Sequence, residues 1–397
     1  MTSAGKRVLK NFGVVLRGRG IAALLTLTAT ALMAKALPAA EFGLVILLHT
    51  YVLAIRGILN FRTYEAIVRF GVPLHENGEN THLETLYRTT TLIDVGSAVL
   101  AAAAGFAMAP VAASVLHWDE HMASLAGLYS LVMLTTAINT PNGMLRLYDR
   151  FDALSTFYLV GPSIRLLGVL VAWPMHAPMQ VFIGIWAAAF VTENAWLFLR
   201  GHIELTRHQH RSLWSGWHWR DALRTNREFR HFIAVCYWQT NVDLLPKHLS
   251  VLLAGSLLGP AAAGMFRLAR DFSSILSKPA GMLRDVLFPD LARILHRQAG
   301  GFHALGRQAA RAAIMTGLLL VLLSIPAAGP LLRLIGTEYA QASTLLSLML
   351  LAATFELTTS PLRATAYAMG RVAPVLRIHI LGLLVFLGLF YFAARWL

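Results

Sequence analysis

Eleven apolar stretches, each long enough to cross a bilayer as a helix, follow one another along this chain with short polar connections between them. They run at roughly 12–37, 42–70, 85–115, 122–145, 152–174, 177–203, 231–258, 261–291, 306–329, 338–366 and 372–396. A membrane-spanning helix needs about 20 residues, and hydrocarbon offers no partners for backbone N–H and C=O groups, so each run must satisfy them internally. The expected class is therefore all-α, a polytopic membrane protein of about eleven transmembrane helices. Composition agrees, since 56% hydrophobic and 14% charged residues in a 397-residue chain is too apolar for an ordinary soluble domain.

The placement of Lys and Arg tests this division. Cytoplasmic loops collect both, so a chain that starts inside should carry few of them in its odd-numbered connections. Those connections are 35–42, 117–121, 174–178, 258–262 and 330–339, and they hold only Lys35 and Arg333. The even-numbered ones hold Arg62 and Arg69, Arg146 and Arg150, five arginines between Arg207 and Arg227, then Arg293, Arg297, Arg307, Arg311 and Arg371. The expected orientation has the N-terminus in the cytoplasm. Much of the +14 formal charge is thus topological, and an anionic substrate is an additional reading of it. A cleavable signal peptide ending near Ala34-Lys35-Ala36 competes for the first span, but the turn that follows recurs later in the chain, which favours a retained helix.

The recurrence divides the chain. Leu37-Pro38-Ala39-Ala40-Glu41-Phe42-Gly43 is matched by Gly259-Pro260-Ala261-Ala262-Ala263-Gly264, Thr140-Pro141 by Ser360-Pro361, and Arg56 by Lys278 within one residue. The two halves run in the same sense, a parallel repeat about the membrane normal. The expected units are an N-terminal bundle at 1–204, a cytoplasmic connecting segment at 205–230 containing Leu213-Trp214-Ser215-Gly216-Trp217-His218-Trp219, and a C-terminal bundle at 231–397. The counterpart of the sixth span would begin beyond Leu397, so the twelfth helix is expected to be absent and the C-terminus to lie outside.

Charges inside the spans point to function. Gln239, Asp243, Lys247 and Ser250 share one helix face, as do Arg267, Asp271, Ser274, Lys278 and Asp285. Such stripes face a bundle interior or a wet cavity, because lipid would leave them unsolvated.

The residues Leu37–Gly43 and the run from Asp243 to Arg293, with its Gly-Pro-Ala-Ala-Ala-Gly turn and Phe288-Pro289-Asp290-Leu291-Ala292-Arg293 end, resemble the polysaccharide (O-antigen type) flippases of the multidrug/oligosaccharidyl-lipid/polysaccharide exporter superfamily. The resemblance covers nearly the whole chain. It implies two pseudo-symmetric helical bundles around a central cavity and a secondary transporter of polyprenyl-pyrophosphate-linked oligosaccharide. That substrate would move from the cytoplasmic to the periplasmic leaflet of the bacterial inner membrane by alternating access, coupled to H+ or Na+, for surface polysaccharide or lipopolysaccharide biosynthesis. Glycosyltransferases and a polysaccharide polymerase are the implied partners, beside the membrane lipids. The alternatives are a drug/cation antiporter of the same superfamily and, less favoured because every outer loop is short, a membrane-embedded glycan polymerase or ligase.

A pyrophosphate crossing ~30 Å of hydrocarbon needs fixed cations, and Arg binds phosphate oxygens bidentately where Lys acts as a point charge. The substrate-binding candidates are Arg17, Arg19, Arg56, Arg165, Arg267, Arg270 and Lys278. Arg17, Arg19 and Arg267 lie near span ends, where snorkelling is the competing role. Arg56 lies about 14 residues, or ~21 Å, from the outer turn. Ion-coupling candidates among the intramembrane carboxylates Asp94, Glu193, Asp243, Asp271 and Glu356 are Asp243 first, then Asp271 and Glu356, because burial favours protonation. Internal neutralisation in the i,i+4 pairs Asp243–Lys247 and Arg267–Asp271 is the competing role.

No catalytic residue, cofactor or metal site is expected. Cys236 is the one cysteine, His208 and His210 read as basic surface, and His379 as a hydrogen-bonded residue of the last span. No phosphate-binding Gly-rich loop with Lys is present, and no continuous basic patch suits nucleic acid.

Overall fold

The computed structural model describes residues 3–209, 227–274 and 335–368, with scattered positions within 315–333 and 377–392. The described residues are helical or in short turns. Helix α1 covers Ser3–Ala36, α2 Ala39–Ile58, α3 Thr63–Glu76, α4 Asn80–Leu116 and α5 Glu120–Ser130. A 3-10 turn at Leu131–Thr136 precedes α6 at Asn139–Leu147, followed by α7 at Phe151–Ala172, α8 at Met179–Gln209 and α9 at Arg227–Leu258. Helix α10 covers 260–274, and a 3-10 turn at Thr337–Ala342 leads into α11 at Ser343–Ala368.

Six stretches among the described residues are long and apolar enough to cross a membrane: Gly13–Ala36, Ala39–Ile58, Asn80–Leu116, Glu120–Leu147, Phe151–Ala172 and Met179–His208. Their outward faces remain apolar, as at Val99, Phe106 and Val111 on α4 and Leu167 and Val171 on α7, all more than half exposed. Lipid is the solvent that such faces suit. The all-α polytopic architecture expected from the apolar runs is thus observed, while the spans at 306–329 and 372–396 fall largely outside the described residues.

Two expected spans are broken. The run at 42–70 ends as a helix at Ile58, and Arg62 then takes a left-handed conformation (φ 46°) before α3 starts. The Asn60 side chain accepts from the Arg62 backbone N–H at 3.0 Å, a local competitor to helix propagation. The run at 122–145 is interrupted by its 3-10 turn, where the hydroxyls of Thr135 and Thr136 donate to carbonyls three residues back, at 2.7 and 2.6 Å. Pro141 then sits in the first turn of α6, where its missing N–H removes no helical bond.

The described residues fall into two compact units, Met1–Ala29 with Val45–Ser256, and Thr30–Leu44 with Leu257–Leu397. In the first, α7 packs along α8, α4 along α5, and α3 lies against α4 and α6. A core at the Arg-rich end joins Ile67, Leu83, Tyr87, Met144, Leu205 and Phe229. In the second unit the two repeated turns meet. A Cβ on Gly43 would collide with the Pro260 carbonyl, and one on Gly264 would come within 2.7 Å of Phe42 Cδ1, so both glycines are required by the closeness of the crossing. Gly259 takes φ +88°, a conformation that favours glycine, and Pro260 supplies a preset first residue for α10. Tyr339 completes this packing, with its ring edge-on to Phe42 at 6.0 Å and its hydroxyl donating to the Ala34 carbonyl at 3.2 Å.

Candidate functional site

Helices α2, α7 and α8 of the first unit bring two of the expected cations together. Arg56 lies in the last turn of α2, and its guanidinium stands 5.3 Å from the Phe190 ring centroid of α8. Arg165 of α7 stands 5.7 Å from the Trp186 ring centroid, one turn earlier on α8. Glu193, three residues beyond Phe190, is within electrostatic reach of both guanidiniums. It fits against α7 because Gly161 has no side chain: a Cβ there would overlap Glu193 Oε2. Gly161 and Arg165 are one turn apart, so the same face of α7 makes room for the carboxylate and presents a cation beside it. All three charged side chains are half-buried, while Trp186 and Phe190 are buried.

A His–Tyr pair adjoins them. His49, two turns before Arg56 on α2, shares a 2.8 Å hydrogen bond between Nδ1 and the Tyr129 hydroxyl, and its ring lies edge-on to Phe190 at 6.2 Å. Tyr129 is also within electrostatic reach of Arg165. Among the described residues, two guanidiniums and one carboxylate come together here. Such an arrangement attracts and orients an anion, and each guanidinium offers a planar fork of donors matched to phosphate oxygens. His49, Tyr129, Phe190 and Trp186 escaped the sequence reading, although the seven-residue spacing from His49 to Arg56 was a legible signal of one shared face.

Arg56 requires one correction. The sequence reading set it deep within a single span at 42–70, but α2 ends only two residues later. Its guanidinium is nevertheless held over the Phe190 ring of α8.

Asp94 belongs to a different constellation. It is 1% exposed, and four donors converge on it. Thr63 Oγ1 donates to Oδ1 at 2.7 Å, and Asn139 Nδ2 to the same oxygen at 3.4 Å. The Thr140 backbone N–H and Oγ1 donate to Oδ2 at 2.6 and 2.8 Å. Thr63 and Asn139 are the first residues of α3 and α6. The carboxylate thus takes a backbone donor in the first turn of α6, where such donors lack intrahelical partners, and ties the first side chain of α3 to the same point.

The remaining candidates are dispersed. Arg17 and Arg19 are exposed on α1, and Arg19 Nη2 donates to the Tyr158 hydroxyl at 2.9 Å with the guanidinium over that ring at 4.8 Å. In the second unit Arg267 Nε donates to both Asp271 carboxylate oxygens at 3.0 and 2.9 Å, so the i,i+4 pairing weighed from the sequence is formed there. Arg270 is half-buried on the same helix. Asp243 and Glu356 lie on the helical backbones of α9 and α11; their side chains, like Lys278 as a whole, fall outside the described residues. Among the described residues no group of His, Cys, Asp and Glu is disposed to hold a metal ion.

Comparison with known proteins places this arrangement. The chain is 26% identical over 352 residues to the inner membrane protein YghQ of Escherichia coli (strain K12), a match spanning 86% of this chain and 96% of that one. An inward-facing multidrug resistance MATE family transporter of the MOP superfamily superposes with a TM-score of 0.67 at 15% identity, over 92% of this chain and 88% of that one. The Vibrio cholerae MATE transporter VcmN in its bent form does so at 0.60 and 18% identity, over 97% and 89%. The shared fold is an all-helical one with several membrane-length helices. Residues 74–343 match the family described as polysaccharide biosynthesis protein, and the chain therefore belongs to that family, built on the fold of the MOP-superfamily transporters.

Proposed function

We propose that this protein is a secondary transporter that flips polyprenyl-pyrophosphate-linked oligosaccharide across the bacterial inner membrane, from the cytoplasmic to the periplasmic leaflet, by alternating access. The observation that carries the reading is the placement of Arg56 and Arg165 over the Phe190 and Trp186 rings, one turn apart on α8, with the Glu193 carboxylate within electrostatic reach of both guanidiniums. A pyrophosphate leaving the headgroup layer loses hydration, and fixed cations in a low-dielectric interior are what offset that loss. Arg267, Arg270 and Lys278 of the second unit, and Arg17 and Arg19 near the N-terminus, are further proposed substrate-binding residues. The family description and the name of the E. coli relative support a role in surface polysaccharide synthesis and the inner-membrane location. The Lys and Arg asymmetry supports a cytoplasmic N-terminus.

Coupling to H+ or Na+ is assigned to Asp243 and Glu356, with Asp271 third because its carboxylate is engaged by Arg267. Glycosyltransferases supplying the substrate and a polymerase consuming it are the partners this reaction requires. The drug/cation antiporter reading would set a cation against two guanidiniums, an electrostatic penalty that disfavours it.

The test is export of surface glycan in cells dependent on this protein. Arg56→Ala and Arg165→Ala should each lower export at least tenfold while membrane levels of the protein stay normal. Full export in both variants would remove the arginine pair, and this reading with it.

A further inference from the structure

The start of α3 and the last turn of α6 carry a second pair of arginines, apart from Arg56 and Arg165. Arg62 precedes α3 with φ 46° and ψ 45°, a left-handed conformation that residues with a Cβ rarely adopt and that clusters at working sites. Asn60 holds it there, accepting from the Arg62 backbone N–H at 3.0 Å. The Arg62 guanidinium stands 5.9 Å from the Tyr64 ring centroid, and that of Arg146 stands 5.2 Å from the same centroid. Two cations from separate connections of the chain therefore share one aromatic ring. Arginines that only set topology must lie on the correct side of the membrane. They require neither a strained backbone nor a common ring.

The donors of the pair are only partly used. Arg62 Nη1 donates to Glu65 Oε1 at 3.2 Å and to the Tyr64 hydroxyl at 3.4 Å, and that hydroxyl donates to the same carboxylate oxygen at 2.9 Å. Arg146 Nε donates to Asn142 Oδ1 at 2.8 Å, which fixes its guanidinium on the ring. Among the described residues the two terminal nitrogens of Arg146 make no hydrogen bond and close no ion pair, and the side chain is half-buried. A guanidinium held in this way presents an end-on fork that matches two oxygens of one phosphate. Arg146 stands in the last turn of the apolar stretch Glu120–Leu147, and Arg62 just beyond the end of Ala39–Ile58. Span ends lie at the level of lipid headgroups. We infer that Arg62 and Arg146, spaced by the Tyr64 ring, form a seat for a phosphate group carried by a lipid head, separate from the Arg56–Arg165 site.

The experiment uses the full chain in detergent, with native mass spectrometry reading which added lipids stay bound. Every variant is made in protein already carrying Arg56→Ala and Arg165→Ala, so that binding at that pair does not enter. The probes are undecaprenyl pyrophosphate, phosphatidylglycerol and, as the phosphate-free reference, diacylglycerol. The background protein should retain a phosphate-bearing probe in preference to diacylglycerol, and Arg146→Gln and Arg62→Gly should each weaken that retention on the order of tenfold. Glycine suits the left-handed conformation, so Arg62→Gly removes the guanidinium without straining the start of α3 and should melt no lower than its background. Stronger retention of undecaprenyl pyrophosphate than of phosphatidylglycerol supports a seat that receives the proposed cargo; equal retention supports a seat for bulk anionic lipid. Retention of neither phosphate-bearing probe over diacylglycerol, or retention unchanged in both arginine variants, overturns the seat and leaves the Arg56–Arg165 reading standing.

Discussion

Replacing Asp94 tests whether the carboxylate joins α3, α4 and α6 into one unit. In Asp94→Asn one oxygen is exchanged for a donor. The remaining oxygen would stay with the fixed backbone N–H of Thr140, and the new NH2 group would face Thr63 and Asn139, of which only the hydroxyl can rotate to accept it. Losing a charge-assisted hydrogen bond costs about 1.5–3 kcal/mol. Asp94→Ala strands the Thr140 N–H and the Thr63 hydroxyl together, about 1–3 kcal/mol for each unsatisfied buried group. In a unit of this size 1 kcal/mol corresponds to roughly 2–4 °C in Tm. Asp94→Asn should therefore lower the melting midpoint of detergent-purified protein by about 3–12 °C, and Asp94→Ala by more. Intrinsic Trp fluorescence during heating is a suitable readout. Melting of both variants within a degree of the wild type would show that the four bonds contribute nothing net, and the capping role would be wrong.

Three further outcomes follow from particular contacts. Gly43→Leu and Gly264→Leu should abolish accumulation of monodisperse protein, because the crossing of the two turns leaves no room for a side chain, whereas Gly20→Ala, with open space at its Cβ, should behave as wild type in size-exclusion chromatography. Glu204→Gln should destabilise by about 1–2 kcal/mol, a figure reduced for the exposure of its partners Arg150 and Arg207, and high salt should leave most of that loss in place because Glu204 is itself 1% exposed. In a double-mutant cycle on purified protein, Arg267→Ala and Asp271→Asn should be coupled by roughly 0.5–1 kcal/mol in stability, and strict additivity would mean that their bifurcated hydrogen bond carries no net energy.

The helices were legible because each apolar run exceeds the length that a bilayer demands, a signal that needs no tertiary information. The breaks within those runs were not. The residues that restart the helices after them are held by Asp94, which lies 31 residues from Thr63 and 46 from Thr140, and a lone aspartate on an apolar helix carries no local mark of the partners it will find. From the sequence it could be read only as one more intramembrane carboxylate. The repeated turns were visible as a repeat, yet that Gly43 and Gly264 pack against each other's turns follows from close packing and not from similarity. The cations of the candidate site were named from their chemistry, but their grouping was not: Arg56 and Arg165 stand over rings one turn apart on α8, and Arg267, from the same list, is instead engaged by its own neighbour. Glu193 was visible as an intramembrane carboxylate, and the missing Cβ of Gly161 explains how it fits against α7.

Translocation itself can be measured with purified protein reconstituted in proteoliposomes, by following the movement of a fluorescently tagged undecaprenyl-pyrophosphate oligosaccharide between leaflets under an imposed ion gradient. The wild type should move the lipid at a gradient-dependent rate, and Arg56→Ala with Arg165→Ala should reduce that rate to the level of protein-free vesicles. A wild-type rate equal to that of empty liposomes, or an undiminished rate in the double variant, would contradict the assignment of this site to lipid-linked oligosaccharide transport.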